Sequence, residues 1–91
     1  MIRRHVVVHG LVQGVFFRET TRRRAEEAGV AGWVRNRPDG ALEAVFEGDP
    51  DTVAELLSFV EVGPRDARVD GVDVTAEEPE GLVGFAVRPG R

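Results

Sequence analysis

The run "DPDTVAELLSFVEVGP", residues 49–64, constrains the fold more than any other part of the chain. Asp49 is a strong helix N-cap, and Pro50 suits the first helical position, where its missing N–H would have had no partner anyway. Val53, Leu56, Leu57 and Val60 then recur at i, i+3, i+4 and i+7, which places them in one stripe of a helix. Gly63 and Pro64 stop it. So short a helix is marginal by itself in water, and its stripe must be covered by an apolar surface from the remaining residues.

Those residues read mostly as strands with one apolar face. Residues 5–9 predict a strand with Val6 and Val8 on one side and His5, Val7 and His9 on the other. The loop from Gly10 to Gly14 ends it. Over residues 16–28 the pattern turns helical, with Phe17, Thr21, Ala25 and Ala28 on one face and Gly29 as the C-terminal cap. Residues 30–36 and 41–47 predict two strands around Pro38, Asp39 and Gly40, a hairpin turn, with Leu42, Ala44 and Phe46 facing one way. The last strands are expected at residues 68–75 and 82–88, the second turning Val83, Phe85 and Val87 inward.

The order is β-α-β-β-α-β with a short final strand. Two one-faced helices and a set of one-faced strands bury their apolar sides most simply as an α+β fold, a two-layer α/β sandwich of ferredoxin-like type. The other face of the sheet is expected to be solvated. No linker, repeat or low-complexity segment interrupts the pattern, so residues 1–91 are expected to form a single domain.

Composition excludes several kinds of chemistry. All 12 basic residues are Arg, so no lysine can serve a Walker A loop or a Schiff base. Cys is absent, which removes disulfides, thiolate catalysis and Cys-ligated zinc. The net charge of −4, with five Phe, one Trp and no Tyr, argues against a basic nucleic-acid surface or an RNA-stacking sheet face. Neither a signal-like apolar run nor a membrane-span length is present, and a cytoplasmic location is expected.

One stretch, "GLVQGVFFR" at residues 10–18, points to a ligand. A glycine-framed turn from strand to helix exposes successive backbone N–H groups, and the helix adds its own unpaired N–H groups and positive dipole end. Arg18, one turn inside, offers a planar fork of donors matched to phosphate oxygens. Phe16 and Phe17 are expected to pin the loop to the core. By pattern alone Arg18 is either an anion clamp or a solvated helix residue, and a second element is needed.

That element is "GWVRN" at residues 32–36 with Gly40 and Gly48 beyond it. Together the two stretches resemble the acylphosphatase family. Gly10, Val12, Gln13, Gly14, Val15, Phe17 and Arg18 match the family signature G-x-V-Q-G-V-x-F-R. Gly32, Trp33, Val34, Asn36, Asp39, Gly40, Glu43 and Gly48 match the second, G-W-V-x-N followed by D-G-x-V-E and a later glycine. Leu42 stands where the family usually has Val, an apolar exchange at an inward strand position. The similarity runs through Gly63-Pro64 to Phe85.

The resemblance implies an enzyme that hydrolyses the carboxyl-phosphate bond of acyl phosphates without metal or cofactor. It places the phosphate-binding loop on Leu11, Val12, Gln13, Gly14, Val15, Phe16 and Phe17, the phosphate clamp on Arg18, and the water-positioning amide on Asn36. Inorganic phosphate and sulfate are the expected competing anions, and a monomer is the expected state. Gln13 is expected to shape the loop, Trp33 to pack, and His5 and His9 to be solvated. Arg22 with Glu26 and Arg23 with Glu27 stand at i, i+4 and read as a paired, solvated helix face that steers anions weakly. A non-catalytic anion-binding module of the same fold is the alternative.

Overall fold

A computed structural model describes residues 1–90, and Arg91, the last residue of the expected domain, lies outside them. The elements are β1 (Ile2–Leu11), α1 (Phe17–Ala28), β2 (Ala31–Asn36), β3 (Leu42–Gly48), α2 (Pro50–Val62), β4 (Arg68–Glu77) and β5 (Phe85–Val87). They build one five-stranded sheet in the order β4-β1-β3-β2-β5. All pairs are antiparallel except β2 with β5, which run parallel.

Register sorts the side chains onto two faces. Val6 sits opposite Ala44 and Val8 opposite Leu42, and Ala44 is in turn opposite Val34. These residues, with Phe46, are fully buried beneath the helices. From α1 the face formed by Phe17, Thr21 and Ala25 meets them, and from α2 the face formed by Val53, Leu56 and Val60. Phe17 and Phe59 close the seam between the helices edge to face, with centroids 5.7 Å apart. Fully burying a side chain of this size contributes about 1.5–3 kcal/mol, so the two faces read from periodicity hold the sandwich together.

The helix ends follow local chemistry. Asp49 accepts from the Asp51 N–H at 3.0 Å and Pro50 begins α2 as its first residue. Gly29 adopts the left-handed conformation and returns its N–H to Ala25 and Glu26 carbonyls. The β2–β3 turn is closed by Arg37 N–H to Ala41 O at 2.8 Å and by Ala41 N–H to the Asp39 carboxylate at 3.0 Å. The Ala41 amide first, and then the nearby Arg37 guanidinium, hold the Asp39 carboxyl below its usual range.

The outer sheet face departs from expectation. It is not simply solvated: Arg3, Val45 and Glu47 on it are buried. Residues 80–82 cross this face, and their three backbone N–H groups, from Glu80, Gly81 and Leu82, bond the Glu47 carboxylate at 2.8–3.1 Å. Arg3 adds a fourth bond at 2.7 Å and also reaches Glu77 at 2.8 Å. Burial pushes the Glu47 carboxyl up, but these donors outweigh it and leave the group below its ordinary range.

The final strand is shorter than predicted. Gly81 and Gly84 both take left-handed φ, which breaks the extended run, and Val83 between them is 98% exposed rather than inward. Only at Phe85 does pairing with Gly32 begin, and Phe85 there stacks on Phe46 at 6.0 Å. His5 is also not free: it bonds Glu43 at 2.6 Å, while the more exposed His9 meets Asp73 at 2.9 Å. Trp33 is half-buried under the Arg88 guanidinium, 4.7 Å from its ring centroid. Of the basic run on α1, Arg22 does pair with Glu26, and also with Glu19, whereas Arg24 lies 4.4 Å over the Phe59 ring. Arg23 and Glu27 form no ion pair among the described residues.

Candidate functional site

The segment between β1 and α1 curls tightly. Gly14 has φ 74° and Phe16 has φ 62°, the one left-handed non-glycine among the described residues. Left-handed residues alternating with ordinary ones gather backbone N–H groups into a concavity suited to an anion. Phe16 is the N-cap of α1 and supplies no side-chain cap, so the dipole end of that helix is left open.

The loop is held by its ends and by Gln13. Phe17 is buried and Val15 packs against the core, whereas Phe16, expected to pin the loop, is 79% exposed. It is the left-handed backbone at this position that turns its ring outward while Phe17 goes in. Gln13 donates through Nε2 to the carbonyls of Arg37 at 2.7 Å and Ala41 at 3.0 Å. Its side chain therefore ties the loop to the β2–β3 turn, the shaping role its position suggested.

Asn36 arrives from the far side of β3. It pairs with Leu42, so its side chain lies on the helix-facing surface, in line with Val34. Its Oδ1 is buried and has no hydrogen-bond partner, a condition that protein interiors rarely tolerate without a ligand or water to satisfy it. The chain end buttresses the same spot: Arg88 N–H bonds Val34 O at 2.9 Å, and Gly90 packs so closely on the Asn36 carbonyl that a Cβ there would lie 2.3 Å from it.

One open cleft of about 580 Å³ joins these parts. Val12, Gly14, Phe16, Phe17, Arg18 and Asn36 all line it, so most of the expected site residues converge. Leu11, Gln13 and Val15 do not line it: Leu11 is the last residue of β1 opposite Arg68, and the other two point to the turn and the core. Glu19, Arg22 and Val87 line the cleft without having been singled out for it. Helical spacing could have found Arg22, one turn beyond Arg18. Nothing local marks Val87, which enters through the pairing of β5 with β2.

The electrostatics of the cleft are uneven. Arg22 is clamped by Glu19 and Glu26, its bonds to Glu19 holding that carboxyl below the ordinary range. Arg35 and Arg37 are paired with Glu43 and Asp39. Among the described residues, Arg18 alone lines the cleft as a cation with no ion-pair partner. No group of three or more His, Asp or Glu among the described residues is placed to hold a metal ion, and no helix there is long and apolar enough to cross a membrane.

Comparison with known proteins completes the picture. A family model described as Acylphosphatase matches residues 4–87. An acylphosphatase of Rubrobacter xylanophilus is 59% identical over 91% of this chain and 76% of the relative, and one of Thermococcus kodakarensis is 54% identical over 94% of both. The crystal structure of acylphosphatase from Bacillus subtilis superposes with a TM-score of 0.93 at 32% identity, covering 97% of this chain and 99% of that one. With the family model matching residues 4–87, half or more of its residues shared with the Rubrobacter and Thermococcus proteins, and the fold of the Bacillus subtilis enzyme, this chain belongs to the acylphosphatase family.

Proposed function

We propose that the cleft binds the phosphoryl group of an acyl phosphate and directs a water molecule onto its phosphorus. The observation that carries this reading is that Asn36, whose buried Oδ1 has no hydrogen-bond partner, lines the same cleft as the unpaired Arg18. The curled loop and the open end of α1 supply N–H donors, and Arg18 supplies a bidentate fork, so the phosphoryl oxygens meet fixed positive groups. Charge that develops on those oxygens in the transition state is stabilised by the same preorganised donors.

Asn36 has the chemistry for the attacking water. Its Oδ1 accepts a hydrogen bond from that water, and its amide N–H₂ can donate in turn. The water oxygen bonds to phosphorus as the bond from phosphorus to the acyl oxygen breaks, and the carboxylate departs with the electron pair. The proton lost from the water passes to phosphate or solvent. A carboxylate is a good leaving group, so positioning and charge stabilisation suffice without a covalent nucleophile.

The test uses acetyl phosphate with a chelator present, following phosphate release. Turnover supports the enzyme, whereas a protein stabilised by inorganic phosphate that turns nothing over is the anion-binding module instead. Asn36→Ala separates the two halves of the mechanism: kcat should fall on the order of 10²-fold, while calorimetric affinity for inorganic phosphate stays within about three-fold. Equal losses in both would return Asn36 to a binding role.

A further inference from the structure

Resting on the acyl phosphate reading, we propose that Glu19 is a counter-charge built into the cleft, and that together with Arg22 it sets how tightly any phosphate dianion, substrate or product, is held there. Glu19 follows Arg18 in the first turn of α1, and both it and Arg22 line the cleft. A carboxylate at that place stands in the field of the same open helix end that the cradle offers to phosphate. The chain thus carries a fixed anion beside the site meant for a free one.

The geometry keeps this charge in place. Arg22 donates from Nε to both Glu19 oxygens at 3.1 Å, meets the same carboxylate through Nη2, and bonds Glu26 through Nη1 at 2.8 Å. Those hydrogen bonds from Arg22 come first, and the charges of Arg22, Arg23 and Arg18 add to them, in holding the Glu19 carboxyl below its ordinary range. Glu19 is therefore ionised at neutral pH. The influence is mutual: the field of Arg18 that reaches Glu19 is met by a field of opposite sign, and part of the attraction Arg18 exerts on a phosphoryl group is cancelled. Arg22 opposes that cancellation, because its own charge offsets Glu19 on the same wall of the cleft. Bound substrate, transition state and released phosphate carry similar total charge, so the pair acts on all of them alike. That is uniform binding, which moves affinity and leaves the chemical step untouched.

The experiment measures KM and kcat for acetyl phosphate, and the affinity and inhibition constant of inorganic phosphate, in Glu19→Gln, Arg22→Gln and the double variant. A phosphate carries about −1.5 to −2 charge at pH 7. One unit charge acting on it across ~8 Å changes affinity about three-fold at about 10 mM ionic strength and less than about two-fold at about 0.15 M. At the lower salt Glu19→Gln should therefore lower KM and the phosphate inhibition constant together by about three-fold, and Arg22→Gln should raise both by about three-fold. The double variant should return to within about 1.5-fold of the unmodified protein, and kcat should move less than about two-fold throughout. Constants unchanged in both single variants at low salt, shifts of the same sign in both, or shifts that do not shrink with added salt overturn the counter-charge. Same-sign shifts would instead report damage to the first turn of α1. Phosphate binding without turnover of acetyl phosphate in any of the proteins overturns the acyl phosphate reading, while the phosphate affinities still decide the role of Glu19. An unmodified protein that does not bind phosphate overturns both.

Discussion

Glu47→Gln isolates the contribution of the outer sheet face from that of the site. The carboxylate accepts four hydrogen bonds, with Arg3 and the Glu80 amide on one oxygen and the Gly81 and Leu82 amides on the other. A glutamine keeps the size but can accept on one side only; its N–H₂ must then face two donors wherever it is placed. Two charge-assisted bonds are lost, and two buried donors are left opposite another donor. Breaking a buried, hydrogen-bonded charge network in this way costs about 3–5 kcal/mol, which lowers Tm by at least roughly 12 °C in a domain of this size. Arg3 retains Glu77, so the loss should not reach complete unfolding at 25 °C. Calorimetric Tm and urea titration are the assays, with kcat measured well below Tm as the control. Because Glu47 lies on the face away from the cleft, kcat should change less than about two-fold. The pH dependence has a definite sign. The folded pKa of Glu47 is depressed, so its stabilisation is complete above the unfolded value of about 4.3 and is lost as pH falls through the folded value. The gap in Tm between the two proteins should therefore shrink between pH 5 and pH 3, values chosen to bracket that carboxylate range. A fall in Tm under about 4 °C at neutral pH, or a gap that stays constant down to pH 3, would refute the anchoring role.

Arg18→Lys should lower kcat/KM about 10²-fold or more with Tm nearly unchanged, because an ammonium cannot reproduce the bidentate fork; near-normal activity would reject Arg18 as the clamp. Asn36→Ala should leave Tm equal or slightly raised, since the turn beside it is closed by Arg37, Asp39 and Ala41 and the atom removed is an unpaired acceptor. A large drop in its Tm would show that the side chain holds the hairpin. Gly32→Ala should fail to give native protein, as judged by circular dichroism and soluble yield: its φ is 141° and a Cβ would lie 1.8 Å from the Val45 carbonyl oxygen. Inorganic phosphate at about 100 times its Kd should stabilise the unmodified protein by about 2.7 kcal/mol, and a Tm indifferent to phosphate would count against the cradle.

Much of what is caused within a few residues was legible in the chain, though not the outward turn of Phe16 at its left-handed backbone. Asp49 and Pro50 start α2, and Val53, Leu56 and Val60 are buried as their spacing requires. Gly29 caps α1, and Pro38, Asp39 and Gly40 turn β2 into β3. The strand-to-helix loop with Arg18 was legible too, because a curled backbone and a helix end are local objects. The meetings of residues far apart in the chain emerge only once the sheet has closed. Asn36 and Arg18 share a cleft because β2 reaches it across β3, through a register that no stretch of residues encodes alone. Val87 joins them through a parallel pairing with Val34, and Val83 is expelled because two left-handed glycines and the pull of Glu47 on residues 80–82 end the strand before it begins. Glu47 itself looks in sequence like an outward strand residue; it is buried because amides 33 to 35 positions away complete its hydrogen bonds. Periodicity reports which face of an element is apolar, but the partner of a polar group is chosen by topology, since only the closed fold brings its donors within bonding distance.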